Sequence, residues 1–289
     1  MVLEIVINGL IKGSIYALLA IGFSLIFGVA RVVNIAHTAF YMTAAYFIYT
    51  GTQLYGIPAP YAILISILIT TVAGLVCYQL VIKPIREHEA AVLIATMLLA
   101  MAMQEIFLWR FGGHYLGVPP LASGYLIVGG VKVANQHFLA LAVALLALIA
   151  IWFFLLKTRV GLGVRCTAQD REVANLMGIN VNREIMTAVG ISVALAGVSG
   201  VIMAPLEVID PHMWMHPLIM MLAIVVLGGL GSIRGSFIAS YILGFTEVIV
   251  VFAVPMGAFL RYPVALSVMI LALLIRPEGL FGVSFEEER

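Results

Sequence analysis

The sequence predicts an all-α, polytopic bundle of transmembrane helices, one membrane domain over residues 1–289, with about eight or nine spans and a short helix in a cytoplasmic loop. Three observations predict it. Hydrophobic residues make up 63% of the chain and charged residues 10%, with a mean hydropathy of +1.15. A soluble protein of this length needs far more polar surface. Apolar runs of about 20 residues recur, the length at which a helix crosses about 30 Å of hydrocarbon, and the short alternating strands of a transmembrane barrel are not visible.

The first run, 6–30, carries Gly9, Gly13, Ala17, Ala20, Ser24 and Gly28 along one slowly drifting helical stripe. Small residues let backbones approach closely, so this helix is expected inside the bundle. Lys12 lies near its end, where it can snorkel to the interface or line a pathway. RVVNIAHT (31–38) interrupts the pattern, and a second run reaches Tyr55. Gly56-Ile57-Pro58-Ala59-Pro60 reads as a turn. A third run, 62–82, ends at Lys83-Pro84, and a fourth spans 92–109. A long connection rich in Gly and Pro, 111–136, precedes the fifth run, 138–156. After the polar stretch 158–183 come a sixth run, 185–203, and a connection, 207–217, with two acids, two histidines and no Lys or Arg. The run 218–227 is short for a crossing and leads through Gly228-Gly229-Leu230-Gly231-Ser232 into 237–253. The last run, 264–275, stops at Arg276-Pro277.

Lys and Arg mark the cytoplasmic loops. The stretch 158–183 is densest in them, and counting outward places Arg31, Lys83, Arg86, Arg234 and Arg276 on the same side. With 218–227 and 237–253 as separate crossings the N-terminus is outside and the C-terminus cytoplasmic; a re-entrant or broken helix there lowers the count by one. The N-terminus lacks a basic segment followed by a small-residue cleavage site, so the first run is expected to be retained. The acids Glu286–Glu288 read as a solvated end.

Composition excludes several functions. A net charge of +1 offers nucleic acid no basic footprint. Cys77 sits in an apolar run and Cys166 in the polar loop, so no disulfide is expected. There is no GxxxxGK[ST] phosphate loop, HExxH, paired Cys/His cluster or GxSxG elbow. The chain therefore reads as a non-enzyme with no catalytic residue, no metal site and no cofactor of its own.

Within the polar stretch, 167–178 reads as one short helix. Thr167 suits the N-cap with Asp170 three residues on, Asp170 and Glu172 suit the positive end of the dipole, and Gly178 suits the left-handed position after the last turn. Val173, Leu176 and Met177 share one face. So short a helix needs something to dock on, either a partner or the bilayer surface. Asn34 and His37 stand at the inner end of a span, as gate residues or as caps bonded to backbone. Gly228, Gly229 and Gly231 mark either a break lining a pathway or tight helix packing that includes Gly235. Glu105 and Glu247 lie in apolar runs, as proton carriers or as acids near helix ends.

Glu172-Val173-Ala174-Asn175-Leu176-Met177-Gly178 resembles the E-A-A-x-x-x-G signature of ABC-importer permeases, with Val173 in place of the first alanine, the middle letter of E-A-A. TRVGLGVRCTAQDREVANLMGINVN, Asn8-Gly9 with Gly13-Ser14-Ile15-Tyr16-Ala17-Leu18, RVVNIAHT, VLGGLGSIRGSF and RPEGLFG are similar, in order and over nearly the whole chain, to the branched-chain amino acid permeases. Two departures stand out: Thr38 where the family usually has glycine, and HMWMHP at 212–217. The resemblance implies a transport subunit whose 167–178 helix docks on a cytoplasmic ATPase, with Asp170, Glu172, Ala174 and Gly178 in the coupling and Asn34, His37, Gly228, Gly229 and Gly231 along the substrate path. It also implies a homologous second permease, two ATPases that use the ATP, an external substrate-binding protein and a bilayer of the cell membrane. Urea, short amides or other amino acids are alternative cargoes, and an ion-coupled carrier using Glu105 or Glu247 is the rival from another class.

Overall fold

Helix α1 (Val2–Ala30) is the element around which the others pack, with 89% of its most apolar window buried. The small-residue stripe explains why. Gly9 lies against Phe245 and Gly13 against Tyr241, both on α11 (Ile233–Ala253), so a Cβ at either glycine would collide with a ring. Higher up, Ser24 and Ser236 share a hydrogen bond of 2.5 Å, and Gly28 approaches Gly231. The stripe is therefore the seam with α11. The described residues, in this computed structural model, are 2–128, 131–254 and 256–281. Gly282 and the acids at 286–288 lie outside them.

Around α1 stand α2 (His37–Tyr49), extended by a π-helical turn Thr50–Leu54, and α3 (Ala59–Cys77), which runs through a second π-helical turn into the short α4 (Lys83–Ile85). Then follow α5 (Glu89–Phe111), α6 (Asn135–Lys157), α7 (Arg159–Gln169), α8 (Arg171–Leu176) and α9 (Val181–Met203). The chain continues through α10 (Met215–Gly228) and α11 into α12 (Gly257–Ile275). In the 111–136 connection, β1 (Tyr125–Val128) pairs antiparallel with β2 (Val131–Ala134), a small hairpin in an otherwise helical protein.

Six described helices are long and apolar enough to cross a membrane: Val2–Ala30, Ala59–Ile85, Glu89–Phe111, Asn135–Lys157, Val181–Met203 and Ile233–Ala253. Met215–Gly228 and Pro263–Ile275 are apolar but shorter. The 14 residues of α10 rise about 21 Å, short of a hydrocarbon layer of about 30 Å. Helices α10 and α11 fold back on each other, because Gly235 packs against the Gly228 carbonyl so tightly that a Cβ would lie 1.9 Å from that oxygen. They are two helices joined by a turn rather than one broken rod. Gly229 and Gly231 carry φ of 97° and 79° in that turn, values that favour glycine.

The bundle has two chemically different ends. At one end the C-terminus of α1, the α4–α5 turn, the α6–α9 connection and the α10–α11 turn come together: Arg171 bonds Val29, Arg86 bonds Asn182, and Leu280 N–H bonds the Leu227 carbonyl at 2.8 Å. At the other end Leu116 and Ile209 form an isolated antiparallel bridge, and Lys12 pairs with Glu207. Nearby, Tyr46 stacks on Phe107 with ring centroids 4.4 Å apart.

Candidate functional site

The segment 158–183 folds as two helices with a sharp corner between them. The α6 helix stops at Thr158, whose hydroxyl accepts from Gly161 N–H at 2.9 Å and so caps α7. Gly161 presses against the α6 backbone, where a Cβ would sit 2.2 Å from the Phe154 carbonyl, so α7 must turn closely off α6. Thr167 does not cap a helix. It is buried within α7 and its hydroxyl donates to the Gly163 carbonyl at 2.9 Å. The expected single helix over 167–178 is thus divided, and the cap is Asp170.

Asp170 leaves helical geometry, with φ −152° and ψ 117°, and its Oδ1 accepts from the Glu172 and Val173 N–H groups at 2.8 and 3.0 Å. This satisfies two of the orphan donors that open α8. At the far end Gly178 N–H bonds the Asn175 carbonyl and Ile179 N–H bonds the Ala174 carbonyl, both at 3.0 Å. That pair is a Schellman motif, and the φ of 83° at Gly178 supplies its left-handed residue. Ala174 turns inward and is buried, whereas Glu172 is exposed. Val173, Leu176 and Met177 are 53%, 85% and 78% exposed. The helix has six residues, is held at both ends and shows three apolar side chains outward.

The pathway candidates lie elsewhere. His37 is fully buried, its Nε2 3.2 Å from the Leu19 carbonyl and its Nδ1 3.4 Å from Ser192 Oγ, and it joins α2 to α1 and α9. Asn34 is buried with Oδ1 lacking a hydrogen-bond partner, as is the hydroxyl of Thr38. Gly228, Gly229 and Gly231 form the α10–α11 turn described above, where Gly279 also packs against Gly229. The two groups sit on different neighbours: His37 on α1 and α9, the glycines on α11, Gly28 and the C-terminal residues.

Several polar residues form pairs that sequence spacing does not show. Tyr16 donates to Glu247 Oε2 at 2.5 Å, and His216 Nε2 lies 3.8 Å from Glu247 Oε1, joining α1, α10 and α11. Lys12, expected to snorkel or line a path, pairs with Glu207. In the 212–217 stretch Trp214 is buried and donates from Nε1 to Gln104 Oε1 at 2.8 Å. Glu105, by contrast, is exposed on α5. Among the described residues no three His, Cys, Asp or Glu side chains come together as a metal-ligand set. Cys77 and Cys166 are both free thiols.

Known proteins share this chain over nearly its whole length. It is 28% identical over 295 residues to the high-affinity branched-chain amino acid transport system permease protein LivH of Escherichia coli, covering 97% of this chain and 95% of that one. To the corresponding permease protein BraD of Pseudomonas aeruginosa it is 29% identical over the same coverage. The fold is shared with the PsaBC structure from Streptococcus pneumoniae, at 16% identity and a TM-score of 0.56 over 96% of this chain and 97% of that one. A family model described as "Branched-chain amino acid transport system / permease component" matches residues 5–275. The chain belongs to this family of branched-chain amino acid transport permeases.

Proposed function

We propose that this protein is the membrane-spanning permease subunit of an ATP-driven importer of branched-chain amino acids, with α8 as the coupling helix that docks on a cytoplasmic ATPase. The observation that carries the reading is the surface of α8. Val173, Leu176 and Met177 project from a helix fixed by Asp170 and Gly178, and Glu172 is exposed beside them. Exposed apolar clusters rimmed by polar groups mark contact sites. This one stands at the end of the bundle that also holds Arg31, Arg86, Arg171 and Arg183, the charge asymmetry of a cytoplasmic face.

On this reading the chain crosses the cell membrane nine times, with α2 and its π-helical extension, α10 and α12 completing the six long helices, the N-terminus outside and the C-terminus inside. The Lys12–Glu207 end then faces the external binding protein. A homologous second permease and two ATPases complete the importer. The ATPases use the ATP, and their closure pushes α8 and tilts the spans between outward-open and inward-open states. Asp170, Glu172, Ala174 and Gly178 serve coupling, while Asn34, His37 and the 228–231 glycines border the route.

Co-purification with the two ATPases, followed by ATP-driven uptake of labelled leucine into proteoliposomes, tests the reading. Competition with urea, short amides and other amino acids separates the cargoes. Uptake that proceeds without the ATPases on a proton or sodium gradient overturns it and assigns the chain to ion-coupled carriers.

A further inference from the structure

Arg171 opens α8, yet its guanidinium serves another helix. Its Nε donates to the Val29 carbonyl at 3.0 Å, across 142 residues of sequence. Val29 is the penultimate residue of α1, so its carbonyl is one of the last four that have no partner within the helix. Among the described residues this is the one hydrogen bond between α8 and α1. Helix α7 also meets α1, where the Ala168 methyl lies 4.0 Å from where a Cβ on Gly28 would stand, an approach without a directed bond.

The residue is an electrostatically poor choice for a purely structural cap. Arg171 Nη2 is buried without a hydrogen-bond partner. Burial, reinforced by the charges of Arg31 and Arg86, lowers its pKa from the ordinary guanidinium value. No described carboxylate lies within ion-pair distance of it. A neutral donor of the same reach would hold Val29 without the repulsion or the stranded N–H. What the position supplies is therefore the directed hydrogen bond to Val29, not the charge.

We infer that Arg171 is a positioning residue that carries movement of the coupling helix into the core of the bundle, through its bond to the end of α1. The helix it grips is the most buried of the six long spans and is fastened to α11 along its small-residue seam. A displacement of α8 along this bond therefore reaches α1 and α11 together. The inference rests on the reading of α8 as the ATPase-docking helix.

Two substitutions in the complete reconstituted importer test it. Arg171→Met keeps the aliphatic stem and removes the donor. Arg171→Gln places an amide nitrogen where Nε lies, keeping the donor and removing the charge. The readouts are ATP hydrolysed per leucine transported, co-purification of the subunits, and the melting temperature. Arg171→Met is expected to raise the ATP cost per leucine about tenfold with assembly and melting intact, and Arg171→Gln to stay within about twofold of wild type, in the range of couplings between distant sites. A wild-type ratio in Arg171→Met overturns the inference. So does a Gln variant as uncoupled as Met, which assigns the effect to charge, or a Met variant that no longer assembles, which makes the bond structural. If the wild-type assembly itself shows no ATP-driven uptake, the docking reading has failed, and that result is distinct from all three.

Discussion

The α1–α11 seam and the α8 corner place their residues by opposite means. Along the seam the backbone position is set by neighbours: Gly13 faces Tyr241, Gly244 lies against the Gly13 backbone, and Ser24 bonds Ser236. At α8 it is set by the segment's own hydrogen bonds, with Asp170 at one end and the Schellman pair at Gly178 at the other. Burial thus explains α1 completely, since its small residues meet partners within the chain. It leaves α8 unexplained, since no described residue covers Leu176 and Met177. The α8 surface is thus organised by its own backbone bonds and left exposed, the feature on which the proposed docking role rests.

The sharpest way to break this contrast is to add one methyl group to a close backbone approach. Gly235→Ala would place a Cβ 1.9 Å from the Gly228 oxygen, an atom of a neighbouring backbone that has no rotamer to retreat into. Overpacking of this kind costs about 1–3 kcal/mol or more. The variant is expected to lose most of its monodisperse material on size-exclusion chromatography in detergent. A well-behaved Gly235→Ala protein would mean that α10 and α11 do not pack as described.

At Gly178 the space is open: no neighbouring atom lies within 4 Å of where a Cβ would stand, so only the φ of 83° resists substitution. Left-handed strain of about 1–2 kcal/mol would fall on a six-residue helix and leave the spans untouched. Gly178→Asp is expected to keep expression, melting temperature and co-purification while ATP-driven leucine uptake falls about tenfold, the equivalent of about 1.4 kcal/mol. Unchanged uptake would count against the docking role of α8.

What the sequence shows and hides follows the same division. The stripe on α1 is visible because close helix packing demands small residues at helical spacing, a local pattern. The cap of α8 is harder to read, because Thr167 and Asp170 are both competent caps. Burial decides between them, turning Thr167 toward the Gly163 carbonyl and leaving Asp170 at the corner. The pairs Lys12–Glu207, Tyr16–Glu247 and Trp214–Gln104 join residues far apart in the chain, so no spacing rule reveals them. The hairpin had a local signal in two apolar stretches around Gly129-Gly130, and the strands of four residues each are too short to stand out from a polytopic chain.

A smaller effect is expected at the cap. Asp170→Ala removes the acceptor for two N–H groups of α8, a loss of about 1 kcal/mol and so about fivefold in the local opening equilibrium. Hydrogen exchange should quicken by about that factor in α8 and stay unchanged in α1 and α11. Uniform acceleration through the bundle would show that α8 is part of the core and not a separately held element.

The smallest expected effect concerns the two acids of the apolar runs. Glu247 is buried against Tyr16 and His216, so it belongs to the packed interior, whereas Glu105 is exposed on α5 beside Gln104. Exposure on an outer helix face removes Glu105 from any route through the interior of this chain. Glu105→Gln keeps the shape and removes the ionisable group, so ATP-driven uptake and its dependence on external pH are expected to match wild type. An ion-coupled carrier that moves its proton through this carboxylate must lose transport in the same variant. A dead Glu105→Gln protein that still assembles with its ATPases would therefore place energy coupling in the spans and take it away from α8.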